Sequence, residues 1–219
     1  MGYYEYKYLV SNDQLSYLQQ LLRTLYANSD SFQNGIVDSI YFDNVTRNCY
    51  ADCANGEPVK EKFRVRGYGN GYFSSVHYKR KDLFQVSKYK SQVKPLKAQS
   101  SLPQWADLVD AKGSDLQFQN INQLADQYGR LIPAVRIRYS RERFRIYDYR
   151  ITLDYNITAS SCDFAYGTKL SETILPCHVL EIKTSKERPV LPTLGLIDLK
   201  PTSFSKFYQG VQMLDGESL

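Results

Sequence analysis

Apolar and polar residues alternate along several stretches of the chain, and that alternation predicts strands. Tyr3 to Val10 is the first, and Ile36 to Phe42 the second. Lys60 to Gly67 and Tyr72 to Lys81 form a predicted hairpin through Gly67-Tyr68-Gly69-Asn70-Gly71, where Asn-Gly tolerates the positive φ angles of a tight turn. Phe84 to Val93, Ala134 to Tyr147, Arg150 to Asn156 and Val179 to Thr184 complete the strand pattern. Helical spacing appears in Leu15, Leu18, Leu22 and Leu25, with Ser11 and Asp13 as caps. It recurs weakly between Pro95 and Gly129, and clearly in a closing helix from Ser203 to Leu214. Asn28 to Gly35 and the segment around Cys49, Asn55 and Gly56 read as loops. The glycine cluster at 67–71 is no dinucleotide fingerprint, because a strand follows it and not a helix. The fold class is α+β, mainly β, with about eight antiparallel strands that one barrel with flanking helices would accommodate.

Composition supports strands. The 219 residues include 19 Tyr and 10 Phe against 1 Trp and 2 Met, a bias towards residues that fit a pleated surface. Length and an ordinary apolar content favour a single domain over residues 1–219. No apolar run is long enough for a membrane span, and Met1 to Lys7 lacks the apolar centre of a leader peptide. Four cysteines, Cys49, Cys53, Cys162 and Cys177, are too few for a disulfide scaffold, and two histidines supply a zinc site poorly. Reduced cysteines and a cytoplasmic location are expected.

Charge changes the picture more. The net charge is only +5, yet residues 60–97 hold eleven Lys or Arg and two acids, Glu61 and Asp82. Residues two apart share a strand face. Lys60, Lys62, Arg64 and Arg66 therefore lie on one face, with Phe63 and Val65 on the other. His77, Lys79 and Lys81 share a face of the next strand, and Lys88 and Lys90 a face of the one after. Arg136, Arg138, Arg141, Arg143, Arg145 and Arg150 crowd a later segment. Acids enter beside cations elsewhere: Glu5 with Lys7, Asp154 with Arg150, Glu181 with Lys183. Such faces either point at water, as one face of an antiparallel sheet commonly does, or line a polar interior. Cations turned inward repel unless a polyanion lies among them, and Lys and Arg suit phosphate. Carboxylates in such a lining would hold a divalent metal that bridges phosphate oxygens.

Eight segments, in order, resemble the VTC-type polyphosphate polymerase domain of the CYTH-like triphosphate tunnel enzymes. They are Glu5-Tyr6-Lys7-Tyr8, Ser39-Ile40-Tyr41-Phe42-Asp43, Lys62-Phe63-Arg64-Val65-Arg66, Lys79-Arg80-Lys81, Tyr139-Ser140-Arg141, Arg150-Ile151-Thr152-Leu153-Asp154, Leu180-Glu181-Ile182-Lys183 and Ser203-Phe204-Ser205-Lys206-Phe207. The resemblance implies a closed eight-stranded antiparallel tunnel that grips tripolyphosphate or polyphosphate. It also implies Mn²⁺ or Mg²⁺ as cofactor and ATP or another nucleoside triphosphate as substrate. Carried over, Lys7, Lys62, Arg64, Arg66, Lys79, Arg141 and Lys206 are phosphate-binding positions. Lys81, Lys90 and Lys183 join them through their shared faces. The expected metal ligands are Glu181, then Glu5, with Asp154 as a third candidate. Lys62, Arg64, Arg66, Arg141 and Glu181 are the expected catalytic residues. Two positions depart from the family pattern: Tyr3 and His77 stand where acids are frequent. Polyphosphate synthesis is the leading expectation. Triphosphate hydrolysis and non-catalytic polyphosphate binding are the rivals. No nucleic-acid partner is expected, because base stacking needs aromatics on the basic face. A membrane-protein partner is left open.

Overall fold

Alternation becomes antiparallel sheet wherever one face finds apolar cover. The computed structural model describes residues 4–26, 34–69, 71–83, 85–97, 129–162, 171–187, 195 and 197–216. Ten strands and three helices follow in the order β1 (Tyr4–Val10), α1 (Asn12–Leu25), β2 (Asn34–Asp43), α2 (Asn48–Ala54), β3 (Val59–Tyr68), β4 (Tyr72–Asp82), β5 (Gln85–Lys97), β6 (Ile132–Ile146), β7 (Tyr149–Ser161), β8 (Glu172–Ile174), β9 (His178–Thr184), β10 (Lys200–Pro201) and α3 (Lys206–Leu214). The helices expected between Pro95 and Gly129 lie mostly outside the described residues, and residues 95–97 belong to β5.

Two compact units divide the chain. The first comprises Met1–Ile36, Arg138–Thr158 and Ile174–Ser205. Its strand order is β10-β1-β9-β7-β6. Tyr6, Tyr8, Ile151, Leu153, Leu180 and Ile182 turn to one side and meet Leu18 and Leu22 of α1. Ser11 caps α1 reciprocally: its Oγ accepts from the Gln14 N–H at 3.3 Å, and its own N–H donates to Gln14 Oε1 at 3.0 Å. Leu25, expected on the same stripe, is exposed.

The second unit comprises Val37–Ile137, Ala159–Thr173 and Lys206–Leu219, with the order β6-β2-β3-β4-β5. Ile40, Phe42, Phe63, Val65, Val76 and Tyr78 build its core. Gly67 sits at an irregularity of the β3–β4 ladder, where a Cβ would lie 2.1 Å from the Tyr72 carbonyl oxygen. Gly210 has a similar role in α3: a Cβ there would lie 2.4 Å from Ile137 Cδ1 and 3.2 Å from Ala159 Cβ. The missing side chain lets the helix lie close on β6 and β7.

Two expectations are corrected. The segment around Cys49 is a helix, α2, opened by the buried Asp43 carboxylate, which accepts from the N–H groups of Asn44, Cys49 and Tyr50. In place of the closed eight-stranded barrel, the described residues form a sheet of ten strands in which no pairing joins β10 to β5. The physical reason is at the edge. β10 is two residues long and ends on Pro201, which has no N–H to extend a ladder.

Candidate functional site

In the second unit, ladder register turns the charged face of β3 into transverse rows. Ser39 pairs with Arg66, which pairs with Ser75. Tyr41 pairs with Arg64, then His77, then Lys90. Lys62 pairs with Lys79, then Lys88, and Lys60 pairs with Lys81. No Asp or Glu occupies this face of β3, β4 or β5 along these rows. Like charges directly opposite one another destabilise a sheet unless counter-charges meet them.

Part of it is buried as well. Arg66 is only 7% exposed and donates to Ser39 Oγ at 3.0 Å. Lys62, Arg64 and Lys79 are half-buried, whereas Lys81 and Lys90 are exposed. α3 covers the centre: Phe207 stacks on Tyr41 with centroids 5.3 Å apart, and Lys62 Nζ lies 6.0 Å from the Phe207 ring. Lys206 opens that helix. Since Phe63 and Val65 fill the opposite face, both sides of β3 are covered here. The purely solvated alternative therefore fails for Arg66.

Tyr41 and His77 carry the electrical signature of this face. Burial alone would raise the Tyr41 phenol, but Arg64, Arg66 and Lys62 bring its pKa down to about 7. Its hydroxyl accepts from Arg64 Nη1 at 2.8 Å. Burial, reinforced by Arg64, Arg66 and Lys90, lowers His77 to about 3. Ser75 Oγ donates to the Arg66 carbonyl at 3.2 Å, so its contact with His77 Nε2 at 3.1 Å is one in which the imidazole donates. His77 is thus a neutral spacer among cations. Because the unfolded chain protonates near 6.5 and the native chain only near 3, native stability falls as pH drops through that window. His77→Gln should flatten that loss. Urea midpoints between pH 7 and 4 measure it, and parallel curves for both proteins would contradict this assignment.

The first unit presents a face of another kind. Across β1, β9 and β7, Lys7 pairs with Glu181 and then Thr152, while Glu5 pairs with Lys183 and then Arg150. Lys7 Nζ lies 3.4 Å from Glu5 Oε1 and donates to the Phe204 carbonyl at 3.1 Å. Lys183 Nζ donates to Glu181 and lies 3.6 Å from Glu5 Oε2. Acids and lysines therefore alternate as a network. On β6 and β7, Arg141 donates from Nε and Nη2 to the two oxygens of Asp154 at 2.5 and 2.7 Å. Burial opposes the Arg141 charge, but Tyr139, Asp154 and Glu181 hold its pKa well above the usual arginine value. The guanidinium also lies 5.3 Å from the Tyr139 ring centre. The arginine cluster on β6 does not act as a block: Arg136 pairs with Asp38 at 2.6 Å.

The donor chemistry of this face suits a hard divalent cation. Glu5 and Glu181 supply carboxylate oxygens, and Thr152 Oγ1, opposite Glu181, is buried with no hydrogen-bond partner among the described residues. Mg²⁺-like ions use one or two carboxylates plus phosphate oxygens. No group of three or more His, Cys, Asp or Glu that could hold a metal ion occurs among the described residues. Asp154 fits less well, since both its oxygens face Arg141. Thr152 and Tyr41 are residues that sequence reasoning left without a role. Cross-strand register shows what they oppose. Cys49, Cys53, Cys162 and Cys177 form no disulfide among the described residues, and no described helix is long and apolar enough to cross a membrane.

Fold and site define a class: an antiparallel β protein with a partly buried cationic face in one unit and an interleaved acid–lysine face in the other. The family model of the VTC domain matches residues 2–215, and the chain belongs to that family. No curated protein matches it. Among solved structures, a proposed adenylate cyclase from Bacillus halodurans superposes with a TM-score of 0.50 at 15% identity, over 85% of this chain and 84% of that one. The PH1819 protein from Pyrococcus horikoshii gives 0.45 at 15% identity, over 85% and 80%. A proposed adenylate cyclase from Vibrio parahaemolyticus gives 0.45 at 11%, over 98% and 86%. The likeness to the Bacillus protein is one of fold alone.

Proposed function

We propose that this VTC domain binds a triphosphate or polyphosphate chain and transfers phosphoryl groups with a divalent metal, making polyphosphate from a nucleoside triphosphate such as ATP. The observation that carries the reading is the cross-strand row Lys62–Lys79–Lys88 beside a buried Arg66. Cations aligned in one row become favourable when a polyanion lies along them. Lys62, Arg64, Arg66 and Lys79 bind phosphate oxygens in the second unit, with Lys206 at the start of α3 and Lys81 and Lys90 at the exposed margin. In the first unit Lys7, Lys183 and Arg141 do so, while Glu181 and Glu5 hold Mn²⁺ or Mg²⁺. The metal would offset charge on the phosphate oxygens. Asp154 orients Arg141. Phosphoryl transfer needs positioning and charge stabilisation more than a protein nucleophile, and none is assigned. Residues 1–219 act as one functional domain in this proposal, and its location is cytoplasmic.

The pairing of both Glu5 and Glu181 with lysines favours one further reading, a binder without turnover. Purified protein with ATP and Mn²⁺ or Mg²⁺ separates the outcomes. Polyphosphate on a gel supports the polymerase, released phosphate alone supports a hydrolase, and neither supports the binder. Tripolyphosphate at about 100 times its dissociation constant should stabilise the fold by about 2.7 kcal/mol. Arg66→Ala should weaken its binding about 10- to 100-fold, as loss of a charge-assisted hydrogen bond does. Equal stabilisation by a DNA oligonucleotide would count against phosphate-chain specificity.

A further inference from the structure

We propose that Tyr41 is a proton-exchanging, positioning residue of the cationic face, taking up one proton from solvent when a polyphosphate chain occupies it. The inference rests on reading that face as a phosphate site and adds to it a residue and a coupled ion.

The geometry is specific. Tyr41 is 6% exposed, sealed by Phe207 from α3, and lies in register with Arg64. Its hydroxyl oxygen accepts from Arg64 and donates to no acceptor among the described residues. A buried hydroxyl that only accepts, from a cation, is placed as a phenolate would be. The charged groups that act on it come from β3: Arg64, then Arg66, then Lys62. From β4, His77 stands in the same row but is neutral, and α3 contributes the uncharged Phe207. The three cations hold the phenol near neutrality, against an ordinary value of 10.

A bound polyphosphate changes that balance. Its oxygens neutralise the same three cations, and the support they give to the phenolate is withdrawn. The phenolate oxygen then takes a proton from solvent, becoming a neutral hydroxyl whose new O–H can donate to a phosphate oxygen. Binding and protonation are therefore linked, each favouring the other by the same factor. Below pH 7 the phenol is already protonated, and no proton is taken up at this residue. Between about 7 and 9 polyanion affinity should fall by up to about tenfold per pH unit through Tyr41. The linkage selects multiply charged phosphate chains, because a singly charged anion relieves the three cations less.

Two measurements test this. Without ligand, ultraviolet titration should show one of the 19 tyrosines ionising near pH 7, with that step missing in Tyr41→Phe. Calorimetry with tripolyphosphate at pH 8, in buffers of different ionisation enthalpy, should show wild type taking up close to one proton more than Tyr41→Phe, with no difference at pH 6. The comparison cancels the ligand's own titration. Equal uptake by both proteins, with binding intact, overturns the proposal and leaves the phosphate reading standing. Failure of tripolyphosphate to bind either protein overturns both. Should Tyr41→Phe not fold, absence of a tyrosine step near pH 7 in the wild type is enough to overturn the proposal.

Discussion

Asp154→Ala is expected to lower stability by about 3–5 kcal/mol, the usual result of removing one partner from a buried ion pair. Asp154 is fully buried, and the Arg141 side chain is 15% exposed and bound to both its oxygens. Without the carboxylate, a guanidinium stays in the protein interior beside Tyr139 with one counter-charge fewer. Urea unfolding at neutral pH measures the loss. The paired variant Asp154→Leu with Arg141→Met should recover much of it, because apolar replacements leave no buried charge. A loss below about 1 kcal/mol for Asp154→Ala would mean that the pair is not what holds Arg141. The double variant should nevertheless lose phosphate binding in the first unit, so stability and ligand affinity move in opposite directions.

Glu181→Gln is expected to lower metal-dependent turnover at least about a hundredfold, while tripolyphosphate binding is kept or tightened. The substitution keeps the shape of the side chain and removes the charge that a hard cation needs. It also frees Lys183 from a carboxylate, adding one net positive charge to the face proposed to bind phosphate. A structural Glu181 gives the opposite pattern, with lower stability and unchanged activity per folded molecule. Turnover and affinity measured on the same preparation distinguish the two, and wild-type, metal-dependent activity would remove Glu181 from the site.

Much of this was legible because alternation is a local signal. Lys62, Arg64 and Arg66 opposite Phe63 and Val65 could be assigned to faces without any knowledge of partners, and so could Glu181 and Lys183 opposite Leu180 and Ile182. The Ser11 cap of α1 was equally local. What escaped is set by contacts distant in sequence. α2 is seven residues long, and its start depends on the Asp43 carboxylate reaching Cys49 and Tyr50. β8 and β10 are strands only by virtue of the partner each pairs with. Closure into a barrel is a property of the two edge strands, and no single segment encodes it. In the site, the pairing of Arg141 with Asp154 spans a hairpin, and the pairing of Tyr41 with Arg64 depends on register. The cation count suggested repulsion throughout, whereas His77 interrupts it as a neutral group on β4.

Gly210 has a consequence for how this protein can vary over time. Its lack of a side chain sets the distance between α3 and the strands beneath it, and α3 carries Phe207 over Tyr41 and Lys62. A larger residue there would crowd Ile137 and Ala159, and wherever α3 shifts to relieve that crowding, the aromatic cover over the phenol shifts with it. The ionisation of a site residue would then change through a position that contributes no atom to the site. A catalogue of ligand-touching side chains would rank Gly210 last, yet drift at this position would be felt first as an altered pH response, before any loss of a contact.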